Sequence, residues 1–145
     1  MSYNTMETAN AYFATRLDTS VWDKSPDALK TKALGQASRA IDSLNYVGNP
    51  VNTDAEFPRT GMLTIPNNIL WAECEEAIVL LSGRNAEFEL TNINSRHLGF
   101  GQVDDDVDTK LIPEHVANGI LSGTAWQYLK PFLMDPRAIT LSRRN

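Results

Sequence analysis

The chain has 145 residues, the size of one ordinary domain, and its 42% hydrophobic content is enough for a core, which excludes a disordered chain. A formal net charge of -5 argues against simple phosphate-backbone binding, which needs a basic face, though not against a protein that sits beside DNA without sticking to it. The single cysteine, Cys74, excludes a disulfide framework and points to a reducing compartment.

The opening segment has neither a basic region nor a continuous apolar stretch, so it does not read as a secretory signal. The longest apolar run, Ala77 to Leu81, is far too short to span a bilayer. A first helix is expected over Asn4 to Leu17, with Asn4 and Glu7 at capping-box spacing and Met6, Ala9, Phe13 and Leu17 on one face. "DTSVWDKSP" interrupts the pattern. Ser25-Pro26-Asp27 then reads as a helix start, with Ser25 as the N-cap. Leu29, Ala33, Ala37, Ala40, Ile41 and Leu44 form its apolar stripe, and Gly48 and Pro50 end it.

Residues 49 to 65 form a loop long enough to be functional. Within it lies "AEFPRTG", an aromatic, a proline, an arginine and a glycine at close offsets. Pro66 opens a third helix that runs to Ser82, with Gly83 as its stop. Its second half is apolar nearly all round, which predicts burial on more than one side and hints at a partner subunit. Glu73, Glu75 and Glu76 crowd this helix and read as a polar stripe.

Beyond Gly83 the pattern changes. "AEFELTNI" alternates and "RHLGFGQV" carries turn glycines, so a β-hairpin is expected over about 86 to 108. Asp104, Asp105, Asp106 and Asp108 mark a solvated acidic tip. Pro113-Glu114 opens a short helix, and a second helical piece covers Ala125 to Leu133. Residues 134 to 145 read as an extended tail, in which Arg137, Arg143 and Arg144 face one acid, Asp135. Its Ile139 and Leu141 alternate as in a strand that adds to a neighbour's sheet edge. The fold class is therefore mainly α: a small helical bundle, residues 1 to 133, with a β-hairpin insertion and an extended C-terminal tail.

Catalytic motifs find little support. His97 and His115 are the only histidines, and neither has zinc-ligand spacing. Cys74 sits on a helix face, where a thiol behaves as a small hydrophobe. The acids of "DDDVDTKLIPEH" match three positions of a calcium loop, but Thr109 replaces its glycine and His115 its bidentate glutamate. "GFGQVD" lacks the third glycine and the following helix of a dinucleotide site. No cofactor or metal is expected, and no enzyme. Trp22, Tyr46, Phe57 and Arg59 could form a stacking platform for single-stranded nucleic acid, against the acidic balance of the chain.

One set of residues resembles a known family. "NAYFATRL", Trp22, "KTKALGQASRAID" from Lys30 to Asp42, Leu44, Gly48, "FPRTG" and "IPNNILWAECEEA" occur in an order similar to that of the small head–tail connector (adaptor, or head-completion) proteins of tailed bacteriophages. The likeness covers roughly residues 3 to 83, and Phe57 stands where family members most often have tryptophan. The resemblance implies a structural virion protein at the capsid vertex, made in the host cytoplasm and forming a ring, commonly of twelve copies. Such a ring binds the portal protein, presents a platform to the tail or nozzle protein, and continues the channel for double-stranded DNA without binding it specifically; no membrane is involved. Some relatives carry a primosomal single-stranded-DNA-binding label, which supplies the alternative. On this reading Phe57, Pro58, Arg59, Gly61, Trp22 and Trp71 anchor the loop and the subunit interface. Arg137, Ile139, Leu141, Arg143 and Arg144 dock the tail on the portal, and the four aspartates face the channel. Arg59 to alanine is expected to weaken ring assembly more than folding.

Overall fold

In the computed structural model, residues 2–84 and 113–134 are described. The described chain is mainly helical, as the periodicity predicts. The expected β-hairpin at 86 to 108 with its four aspartates, and the tail residues Arg137, Ile139, Leu141, Arg143 and Arg144, lie outside the described residues.

The elements are α1 (Met6–Phe13), α2 (Ser20–Lys24), α3 (Asp27–Asp42), α4 (Asn67–Leu81), α5 (Glu114–Ala117) and α6 (Gly123–Leu129), followed by a 3-10 turn, Lys130–Phe132. Helix α1 is shorter than its pattern suggests. Its capping box is made by Thr5 and Thr8 rather than by Asn4 and Glu7. Asn4 is instead buried against α4, so its side chain is not free to cap. The chain leaves the helix after Phe13, and Leu17 points fully into solvent instead of extending the apolar face. The interruption before α3 holds a helical turn of its own, α2, which exists to bury Trp22.

Pro26, not Ser25, occupies the N-cap position of α3, and the Ser25 hydroxyl donates to the Val21 carbonyl. The buried face of α3 is Ala33, Leu34, Ala37, Ser38 and Ile41, while Leu29 is exposed. Small residues on this face let α4 approach closely. Helix α4 is the axis of the fold, with its most extensive contacts to α3 and α6 and further contacts to α1 and α2. Its burial within the chain runs from Ile69 to Ile78, apart from Leu70 and Trp71, while Val79, Leu80 and Leu81 are half-buried and Trp71 is exposed. Gly83 closes α4 at φ +96°, a conformation other residues rarely adopt.

The core has two parts along α3 and α4. One gathers Phe13, Trp22, Leu34, Ala37, Cys74 and Ile78. The other gathers Ile41, Tyr46, Phe57, Ile69, Ile120, Trp126 and Leu129. Among the described residues, β structure is limited to two antiparallel bridges, Tyr46 with Leu133 and Pro50 with Arg59. The same residues contain no helix long and apolar enough to cross a membrane.

Candidate functional site

The loop from 49 to 65 is a braced structure. Its two limbs pair through Val51 N–H to the Pro58 carbonyl at 3.0 Å and Thr60 N–H to the Asn49 carbonyl at 2.8 Å. Phe57 is buried and meets Tyr3, Tyr46 and Phe132 edge-on, with ring centroids at 6.3, 4.7 and 5.7 Å. The Phe57–Pro58 peptide is cis, and Gly61 turns the chain at φ +95°. Phe57 thus packs into the core of its own chain, and Gly61 reverses the chain toward α4.

Arg59 is 5% exposed, and it points inward. Its guanidinium donates to the carbonyls of Val47 (3.0 Å), Tyr46 (3.1 Å), Gly48 (2.5 Å) and Glu56 (3.2 Å), and to the Glu56 carboxylate at 3.2 Å. The cation also lies 5.6 Å from the Tyr46 ring centre and 5.9 Å from that of Phe57. All of these partners belong to its own chain. Arginine suits this place because only a planar fork of donors reaches several carbonyls from one side chain. Tyr3 locks the loop from the other side. Its hydroxyl donates to Asp42 and accepts from the amides of Glu56 and Phe57. Burial, then the Asp42 carboxylate, pushes the Tyr3 phenol well above its ordinary value, so it stays a donor.

Trp22 and Trp71 do not join this cluster. Trp22 is buried in the other part of the core, where its indole N–H donates to Asn10 at 2.9 Å and Lys30 covers its ring. It has no surface to offer a partner. Trp71 is half exposed and lines an open groove of about 450 Å³ with Tyr12, Tyr128, Thr8 and Leu70. Its ring lies 6.5 Å from Tyr12 and 5.7 Å from Tyr128.

The polar stripe expected of Glu73, Glu75 and Glu76 is overturned: all three are buried, each holding a different part of the chain. Glu73 takes the Ser2 hydroxyl (2.8 Å) and the Tyr3 amide (2.9 Å) on one oxygen. Its other oxygen takes the Asn4 amide (2.7 Å) and side chain (2.5 Å). Glu75 takes the Tyr12 hydroxyl at 2.5 Å and Arg16 at 2.9 Å. Glu76 takes the amides of Leu121 and Ser122 at about 3 Å, tying the start of α6 to α4. A signal for this was present: α4 holds three acids and no basic residue in an otherwise apolar helix. Such acids need donors from elsewhere in the chain.

Burial raises the pKa of Glu73 and Glu76 above the ordinary 4.5, against the pull of their donors. The folded state therefore binds protons that the unfolded chain releases. The stability these groups contribute is full below 4.5 and is lost as pH rises through the raised values. Glu76→Gln keeps an oxygen for both amides, so it is expected to fold and to flatten this fall. Urea midpoints from acid to neutral pH check it; a pH slope equal to that of the wild type would acquit Glu76. Cys74 is buried and its thiol is pushed up by burial, so it is a packing residue. Among the described residues, no group of three or more His, Cys, Asp or Glu side chains converges as a metal site would.

No family model matches the chain, and no curated protein or solved structure matches it.

Proposed function

We propose that the protein is a structural adaptor: a head–tail connector subunit of a tailed bacteriophage that forms a ring, binds the portal and passes double-stranded DNA without gripping it. The resemblance of residues 3 to 83 motivates the reading, and one observation of the fold carries it further. The Met134 amide donates to the Asn45 carbonyl at 3.0 Å, and Val47 N–H donates to the Phe132 carbonyl at 2.9 Å. The basic tail thus begins beside Asn45 and Val47, next to the carbonyls of residues 46 to 48 that Arg59 holds. A rigid, cross-braced platform with a docking tail rooted on it suits a joint that transmits force between two assemblies. Val47, Val51 and Leu63 are exposed on the same loop region and offer apolar contact area to a neighbour. On this reading the 86 to 108 segment is a β-hairpin, its aspartates line the channel, and the ring has about twelve copies, a heterologous cyclic assembly.

Deleting residues 135 to 145 is expected to abolish binding to portal rings while leaving the melting temperature unchanged, because the described core and the Met134 bridge remain. Portal pull-down and thermal melting read the two outcomes. Undiminished portal binding by the truncated protein overturns the docking role.

The single-stranded-DNA reading keeps one observation, the open groove of Tyr12, Trp71 and Tyr128. Trp22, Tyr46 and Phe57, which the sequence offers as stacking residues, are buried and cannot meet bases. An oligonucleotide titration at two salt concentrations separates the readings: a connector shows almost no affinity, a binding module a tight and salt-steep one.

A further inference from the structure

The last described residue, Met134, forms part of the wall of a cleft of about 400 Å³. Leu44 and Trp126, both buried, form its apolar base, with Leu133 beside them. Its rim carries one acid and one base, Glu114 and Lys130, both exposed. Neither makes an ion pair among the described residues.

Eleven residues follow Met134, and the first three are Asp135, Pro136 and Arg137. This root carries one acid and one base, the complement of the rim. We propose that the cleft is the seat of the tail's own root, with Asp135 paired to Lys130 and Arg137 to Glu114. Reach permits it, since three residues span about 10 Å and the root starts in the cleft wall. Pro136 narrows the conformations the root must give up. Because the root is tethered at Met134, its local concentration in the cleft is high and independent of protein concentration. Exposed ion pairs are weak and screened by salt, so the seat is a releasable latch rather than a weld.

Limited trypsin digestion of the full-length protein tests it, since Arg137 and Arg143 are both cleavage sites in the tail. At low salt, cleavage after Arg137 is expected to be about five-fold slower than after Arg143, because cleavage follows the population of the open form. Raising the salt to 1 M abolishes the difference. Lys130→Glu and Glu114→Gln each speed cleavage after Arg137, and Asp135→Lys combined with Lys130→Glu restores protection. Thermal melting confirms that each variant is folded, and the salt arm needs no variant. Equal cleavage at both sites in low salt overturns the proposal. So does protection that disappears on dilution, which places the root on a second copy, or protection that the charge reversals leave unchanged.

Discussion

Arg59→Ala is expected to unfold the protein before it disturbs any assembly, lowering stability by about 3 kcal/mol or more. The guanidinium is the shared donor for four backbone carbonyls and one carboxylate, all within its own chain. Removing it leaves acceptors in the 46 to 48 segment without partners next to the buried rings of Tyr46 and Phe57. Each buried acceptor left unpaired costs about 1–3 kcal/mol, and not all of them can reach water. Arg59→Lys is expected to recover less than half of the loss, because an ammonium on a flexible stem cannot serve several carbonyls at once. Urea denaturation and analytical sedimentation, run on the same samples, give the comparison. An Arg59→Ala protein with wild-type stability and impaired assembly would restore the interface role that the sequence suggested. The expectation rests on the burial of the side chain and on the number of acceptors it serves in the loop.

The second large effect belongs to Glu73. Glu73→Gln is nearly isosteric, yet it is expected to destabilise the fold by about 2–4 kcal/mol. Both carboxylate oxygens are saturated by donors, and two of the donors, the amides of Tyr3 and Asn4, are fixed in the backbone. A glutamine must turn its own N–H groups toward one of them. Glu76→Gln lacks this conflict, since Leu121 and Ser122 can share one oxygen, and it is expected to be the milder change. The order of the two glutamine variants in thermal melting is therefore diagnostic; a Glu76→Gln loss as large as that of Glu73→Gln would contradict it. Loss of the Glu73 clamp also frees Tyr3, whose hydroxyl holds the amides of Glu56 and Phe57. Increased amide exchange in residues 55 to 58 of Glu73→Gln, relative to α3, is expected as the local signature.

The long helices were legible because their signals are local. Proline-started apolar periodicity located α3 and α4, and Gly83 stopped α4 where a left-handed residue was needed. Capping details were less so. Asn4 and Ser25 have the chemistry of caps, but Asn4 was drawn to Glu73 and Ser25 to the Val21 carbonyl. Which of two competing partners a short polar side chain takes depends on what folding brings near it.

The loop residues Phe57, Pro58, Arg59 and Gly61 were legible as a unit, because an aromatic, a proline and a glycine at those offsets already demand a plug and a turn. The direction of Arg59 was not. A lone arginine in a loop serves a partner subunit or its own carbonyls equally well in one dimension. The three glutamates of α4 show the same limit more sharply. Helical spacing put them on the helix, and their charge suggested water. Only the tertiary structure supplied the N-terminal segment, Arg16 and the start of α6 as donors for them.

The sequence by itself determined the helical class, the two long helices and the place of the braced loop, since these follow from periodicity and backbone preference over a few residues. The tertiary structure decided which polar groups are buried and what satisfies them. A buried charge is tolerated only where donors distant in the chain converge on it, and that convergence is a property of the packed molecule.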